Sequence, residues 1–414
     1  MRETLVCGLD IGTTKTCAVI GRIGGDPPRS PELSILGVGR SRSSGMRRGV
    51  VRDIDETTRA VREALAAAER MAGFKVEGAY VGVAAEHSRH LTSPGVVNVA
   101  GREIAGSDVQ RVIDTARAVV LPPDSEILHI LPQEYLVDRQ RGISDPVGMT
   151  GTRLEVDVSI VTMSTSLGQN LRKAVERAGY RIDGFVLEPL ASSAATISPD
   201  EKELGVAAVE LGGGSTTLAI FHDGKFRHMW PFGYAGSHVT SDIAQGLSVT
   251  QADAETLKEK YGLAYEPLVD PAEMIEIAGP GAQGQRQVAR ELLAHIIHLR
   301  LEEILLTVSR EIERAGYVGK LAAGVVLTGG TAQLRGTVEL AREVFAMPVR
   351  VGQPGRHLAG SLVDHVEQAR FATAAGLALY GMYEQARGSG GGLGRAVSVD
   401  RVLGSVRKWL TEFF

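Results

Sequence analysis

Two stretches of the chain repeat one rhythm: an apolar run, an acid, a glycine and hydroxyl turn, and a second apolar run. The first covers Val6 to Ile20, with Asp10-Ile11-Gly12-Thr13-Thr14-Lys15 at its centre. The second covers Val206 to Ile220, with Glu210-Leu211-Gly212-Gly213-Gly214-Ser215 in register. Apolar runs of this length bounded by turn residues predict strands, and the short turn predicts a β-hairpin in each copy. Between them the period changes. Ile54, Val61, Leu65, Ala68 and Met71 fall on one face of a helix that Asp53 opens and Gly73 closes. From about Ala79 the pattern becomes that of a small α+β unit. Strand Tyr80–Ala84 leads into a polar loop, then a helix Ser107–Val119 capped by Ser107. Strand-like Ile127–Asp138 (with Pro132 inside it) and alternating Leu154–Met163 complete the unit.

A helix Ser166–Gly179 and a strand into Leu187 restore the first texture. After the second hairpin come an amphipathic segment Thr240–Tyr261 and a long helix from about Gln285 to Arg314. Buried strand Val325–Leu327 runs into Thr328-Gly329-Gly330-Thr331; a helix through Phe345, strand Val349–Val351 and helix Phe371–Tyr383 follow. The chain divides accordingly. Residues 1–79 and 164–200 form a first α/β domain interrupted by an inserted unit, 80–163. Residues 201–232 and 319–384 form a second domain carrying a helical subdomain, 233–318. A glycine-rich linker, 385–394, leads to a terminal segment, 395–414.

At 414 residues the chain has room for two to four cores. Its 43% hydrophobic and 23% charged residues are those of a soluble globular protein, and a net charge of −4 excludes a general nucleic-acid binder. Cys7 and Cys17 both lie in the first hairpin, either as neighbours across it or as buried thiols; such sparse use fits a reducing cytosol. The N-terminus enters a strand without a signal peptide's apolar core, and no apolar run is long enough to span a bilayer.

The candidate chemistry follows from the twin turns. Backbone N–H groups of Gly12, Thr13, Thr14, Gly212, Gly213 and Gly214, with the Thr and Ser215 hydroxyls, make concave donor sets for phosphate oxygens. Asp10 and Glu210, just before the turns, are placed to hold a hydrated Mg²⁺, and Lys15 to neutralise phosphate charge. Facing turns would clamp a nucleoside triphosphate. Gly329, Gly330 and Thr331, where a strand meets a helix, offer a surface for base and ribose. Glu255 and Lys258, three apart on one helical face, are within reach of ribose and adenine or else form an exposed ion pair. Glu188, at a strand terminus, either polarises an attacking water or caps the next helix. His295 and His298 stand at i, i+3, a spacing that permits a shared metal, but no third ligand is evident.

The terminal segment is amphipathic. Val402, Leu403, Val406, Trp409, Leu410, Phe413 and Phe414 recur at helical spacing, with Arg407 and Lys408 toward the other side. Four basic and two acidic side chains in residues 395–414 leave a net charge of +2. Such a helix either buries its apolar stripe below lipid headgroups while its cations meet anionic lipids, or docks on its own protein or a partner; the glycine tether and terminal position favour the membrane.

With these features in place, the chain resembles the FtsA family of bacterial cell-division proteins, of the actin and Hsp70 superfamily, almost end to end. Leu128-His129-Ile130-Leu131-Pro132-Gln133-Glu134-Tyr135, Asp145 to Gly151, Gly236 to Ala244 and Ala254 to Lys258 match that family's own patterns. The resemblance implies an actin-like α/β fold with an FtsA-type inserted subdomain, ATP and Mg²⁺ in the cleft, and head-to-tail self-association on the cytoplasmic membrane at the division site. It also implies partners: the C-terminal peptide of the tubulin-like protein FtsZ on the subdomain of about 233–318, and other division proteins on the inserted unit. The activity implied is that of a nucleotide-dependent scaffold, with slow ATP hydrolysis at most. The rivals are an actin-like pilus-assembly scaffold, a sugar-kinase-type phosphotransferase and an Hsp70-like chaperone. The chaperone would need a β-rich domain for which about thirty residues after Tyr383 leave no room. One position departs from the family: Glu210 stands where its second phosphate motif usually begins with Asp.

Overall fold

A computed structural model describes residues 4–26, 30–279, 284–355, 357–360 and 362–388. The linker from 389 onward and the whole amphipathic tail, with its membrane-binding residues, lie outside the described residues.

Each hairpin is the seed of a larger sheet, and the two sheets share one topology. In the first half, Leu5–Ile11 pairs antiparallel with Lys15–Asp26, which pairs antiparallel with Ser30–Arg42. On the other side Leu5–Ile11 pairs parallel with Gly78–Val83, and that strand with Arg181–Leu187. In the second half, Val206–Leu211, Thr216–His222 and Lys225–Phe232 make the antiparallel side, and Val325–Thr328 and Val349–Val351 the parallel side. The sequence repeat is therefore the visible part of a duplicated α/β unit. Parallel strands need crossover connections, and helices on the faces bury strands whose apolar residues run without alternation.

Helix Ile54–Ala72 shows how local sequence fixes an element. The Asp53 side chain accepts from the Glu56 N–H at 2.9 Å, and Gly73 closes the helix with a φ of +71°. Its Val61, Ala64, Leu65 and Ala68 are buried against the first sheet. On that sheet's opposite face lie helices Glu188–Thr196 and Ala372–Gly388, whose residues share one core with Val6, Cys17 and Val19. Cys7 and Cys17 are thus buried free thiols on opposite faces of their sheet.

Several expectations are corrected. Residues 319–384 do not all belong to the second domain: Leu358–Ala359 pairs with Ser30–Arg42, and helix Ala372–Gly388 packs on the first sheet. This helix packs so closely that a Cβ at Gly8 would meet the Ala374 carbonyl oxygen and the Ala378 nitrogen, so only glycine fits there. Residues 88–103, read as a polar loop, form a strand that pairs with Thr150–Ser164. Its buried positions include Ser93 and Gly95 while Val96 is exposed, so the apolar period is hidden. The helix of the inserted unit is Gly106–Arg117, and Ser107 does not cap it. Asp108 turns back to accept the Ala105 N–H at 2.9 Å and is held by Arg102. Gln285–Ala289 is a strand paired with Met274–Ala278, so the long helix begins at Arg290 and ends at Arg314. Thr240–Tyr261 is two helices, Gly236–Gly246 and Gln251–Tyr261. Among the described residues no helix is long and apolar enough to cross a membrane.

A Cβ at Gly8 would lie 2.5 Å from the Ala378 nitrogen and 2.9 Å from the Leu377 Cβ. Overpacking of this kind costs about 1–3 kcal/mol. Gly8→Ala is therefore expected to lower unfolding stability by that amount in urea melts. Gly355→Ala, which meets nothing within 4 Å, is expected to stay within about 0.5 kcal/mol of wild type.

Candidate functional site

The two turns are built alike to the level of one bond. The Gly12 N–H donates to the Lys15 carbonyl at 3.0 Å, and the Gly212 N–H donates to the Ser215 carbonyl at 3.0 Å. The tips then meet across the molecule. A Cβ at Gly213 would lie 2.6 Å from Thr14 Cγ2, and one at Gly214 would lie 3.0 Å from Thr13 Cβ. Side chains at these two positions would hold the halves apart, which is why the second copy carries glycines where the first carries threonines.

Behind the tips the acids converge. Asp10 is 8% exposed, and burial pushes its carboxyl up to about 7, with Lys15 opposing and Glu210 adding to the rise. Glu188 opens helix Glu188–Thr196, and burial, then Asp10 and Glu210, hold its carboxyl well above the ordinary range. Burial also raises Glu210, against two hydroxyls that donate to it: Thr373 at 2.9 Å and Ser192 at 3.3 Å. The Lys15 ammonium donates to the Arg370 carbonyl at 2.9 Å, and burial lowers its pKa while Cys17 and Asp10 pull it back. Three carboxyls and one lysine in so little water resist ionising together, and a divalent cation would favour their charged forms.

The glycine turn at the other end is tied to this centre. Gly329 has a φ of +87° and rests against the Leu211 backbone, and the Thr331 hydroxyl donates to the Gly212 carbonyl at 2.9 Å. Lys15 reaches toward Gly330. Buried Thr328 Oγ1, beside Glu210 on the neighbouring strand, has no partner among the described residues. Glu255 and Lys258 do form an ion pair, at 2.7 Å, but it is not an isolated one. Lys258 also donates to the Thr240 hydroxyl at 2.8 Å and the Gly236 carbonyl at 3.2 Å, and Glu255 accepts from Thr240. The pair braces the start of helix Gly236–Gly246. His295 and His298 go separate ways, to Glu266 at 2.9 Å and to the Ala264 carbonyl at 3.0 Å. Ser192, Thr373 and Arg370 are the site residues that sequence reading missed. Ser192 had a readable signal, one helical turn beyond Glu188; Thr373 and Arg370 come from a stretch whose return to this half had none.

The family profile described as "Cell division protein FtsA" matches residues 207–376, and that of the "SHS2 domain inserted in FTSA" matches residues 85–162. The Cell division protein FtsA of Pseudomonas aeruginosa is 39% identical over 99% of this chain and 98% of its own length. That of Escherichia coli K12 is 36% identical over 98% and 96%. The chain belongs to the FtsA family of cell-division proteins. Solved structures with the same fold include the PilM-PilN type IV pilus biogenesis complex. Its TM-score is 0.63, at 16% identity over 91% of this chain and 98% of that one. MreB5 of Spiroplasma citri bound to ADP has a TM-score of 0.55, at 14% identity over 94% and 99%. The fold is therefore actin-like, with an inserted SHS2 subdomain, as the resemblance implied.

The buried acids make stability depend on pH in a defined direction. Their folded-state pKa values exceed those of the unfolded chain, near 4. The stability they allow is greatest below that value and is lost as pH rises toward the folded-state values. Without nucleotide, the melting temperature is expected to fall between pH 5 and pH 8, and the isosteric Asp10→Asn variant to fall less. Equal slopes for the two proteins in scanning calorimetry would contradict the assignment.

Proposed function

We propose that this FtsA-family chain binds ATP with Mg²⁺ between its twin turns and assembles on the cytoplasmic membrane as a scaffold that anchors FtsZ and recruits later division proteins. The observation that carries the reading is the pair of turns closed by the same backbone bond and meeting tip to tip. The residues fit the ligand. N–H groups and hydroxyls of Gly12–Lys15 and Gly212–Ser215, with Lys15, would hold the phosphates. Asp10 and Glu210 would hold waters of a Mg²⁺ whose charge offsets their desolvation. Among the described residues no three His, Cys, Asp or Glu side chains form a metal cluster by themselves. Magnesium bound partly through phosphates and water needs none. The turn Gly329–Thr331 would take the adenosine.

The same geometry accounts for slow hydrolysis. Glu188 is best placed to accept a proton from water, yet burial, then Asp10 and Glu210, hold its carboxyl well above the ordinary range and so favour its protonated form. It becomes a base only once a bound cation draws its pKa down. Glu210 is one methylene longer than the family's Asp, and its carboxylate is held by Thr373 and Ser192. Glu210→Asp is expected to release phosphate from ATP faster than wild type, with nucleotide affinity largely retained. A faster wild type would defeat this account.

For FtsZ, the smaller unit of the second half offers a groove of about 430 Å³ between helices Gly236–Gly246 and Arg290–Arg314, lined by Asp242, Gln245, Ile296, Leu299, Arg300 and Glu303. Leu292, Leu299 and Leu306 continue its apolar side along the long helix at seven-residue spacing, all substantially exposed. Exposed apolar residues beside charged ones suit an amphipathic peptide. The pilus-scaffold alternative shares only the fold at 16% identity, whereas family membership favours division. Membrane attachment rests on residues 395–414. The full chain is expected to pellet with anionic liposomes, more completely with ATP because linked subunits bind multivalently. A chain ending at residue 394 is expected to stay in the supernatant in both conditions. Equal pelleting would contradict the anchor.

A further inference from the structure

Helix Gly236–Gly246 joins the second phosphate turn to the groove. At its start the Gly236 N–H donates to the Gly212 carbonyl at 3.1 Å and the Ser237 N–H to the Gly213 carbonyl at 2.8 Å. Further along, Asp242 holds the Arg300 guanidinium, through Nε and through Nη2 at 3.2 Å, and both residues line the groove. Tyr234, just before the helix, lies under the same guanidinium, 6.0 Å from ring centroid to Cζ, while its carbonyl accepts the Thr216 hydroxyl at 2.7 Å. Turn and groove are two ends of one short rigid element.

The opposite half grips this element at its root. Arg48 sits at the tip of the hairpin Met46–Arg47/Val50–Val51, with a φ of +49°. Its guanidinium donates to the Gly233 carbonyl at 3.0 Å, and its own carbonyl accepts from His87 Nε2 at 2.6 Å. His87 immediately precedes the first strand of the inserted subdomain, Ser88–Glu103. Gly233 leaves room for the bridge: a Cβ there would lie 3.0 Å from Arg48 Cζ and 3.2 Å from Glu86 Oε1.

We propose that the Arg48–Gly233 bridge latches the closed cleft and makes the peptide groove responsive to nucleotide. Resting on the ATP site and groove assigned above, the argument is one of shared preference. A triphosphate that contacts both turns favours the arrangement in which they meet, and so does the bridge. That arrangement fixes the root of helix Gly236–Gly246, and hence the Asp242–Arg300 pair that forms the groove wall. Two ligands that prefer one state of a common element help each other to bind, reciprocally. The bridge also passes through His87 to the base of the inserted subdomain, so that subdomain is tied to the same state.

The test uses the full chain and a fluorescent FtsZ C-terminal peptide, read by anisotropy with and without ATP and Mg²⁺. ATP is expected to tighten peptide binding to wild type by roughly fivefold or more. Arg48→Ala is expected to cut that ratio below about twofold, as is Tyr234→Leu, which breaks the relay at the groove end. Arg48→Lys is expected to restore part of it. Unchanged circular dichroism and melting temperature confirm that each variant is folded. Peptide affinity indifferent to ATP in wild type overturns the inference, as does an undiminished ratio in folded Arg48→Ala. A wild type that binds no peptide in either state refutes the groove assignment instead. The latch is then judged by release of a fluorescent ATP analogue, which Arg48→Ala is expected to speed about fivefold; unchanged release overturns it.

Discussion

Two glycine-containing turns, one from each half of a duplicated fold, lie tip against tip, and most of what is distinctive here depends on that contact. It requires glycine at 213 and 214, where Thr14 and Thr13 press against the backbone. It encloses Asp10, Glu188 and Glu210 with Lys15 in a space poor in water, so that all three carboxyls are driven upward. Charge held this way is costly to the empty protein. A divalent cation bound among these carboxyls would offset that cost.

Duplication explains why the site is shared between halves rather than owned by one. Each half supplies a strand, an acid, a turn and a second strand, and each half's parallel side supplies a helix start near the acids. Glu188 opens a helix after the outer parallel strand of the first half, and Thr331 opens a short turn of helix after the inner parallel strand of the second. The last helix, Ala372–Gly388, crosses back to the first half and delivers Thr373 to Glu210 of the second. A carboxylate of one half is thereby held by hydroxyls carried on the other. Motion between the halves cannot leave Glu210 unchanged.

The hairpins, the capped helix Ile54–Ala72, the inserted unit and the paired glycine turns were legible in the sequence because local signals agreed: period, caps and turn residues all pointed one way. The misreadings share a cause, tertiary context overriding local pattern. Strand Ser88–Glu103 shows little alternation because its inward positions include Ser93 and Gly95, the latter pressed against helix Gly106–Arg117, while Val96 faces outward. Gln285–Ala289 reads as the start of a helix but pairs with Met274–Ala278, a strand only a few residues earlier in the chain. Asp108 took the capping role from Ser107 because Arg102 stood ready to pair with it. Of the site, the residues that belong to the repeated motif were visible. Thr373, Arg370 and Arg48 were not, since each acts on a residue far away in sequence and carries no motif of its own; Ser192, one helical turn beyond Glu188, had a signal that went unread.

The central claim is that both turns hold one triphosphate. A crystal structure of the chain with a non-hydrolysable ATP analogue and magnesium tests it most directly. The account predicts phosphate oxygens in contact with backbone N–H groups of both Gly12–Lys15 and Gly212–Ser215, with the metal near Asp10. A nucleotide bound to one turn alone, or anywhere outside this cleft, would contradict it.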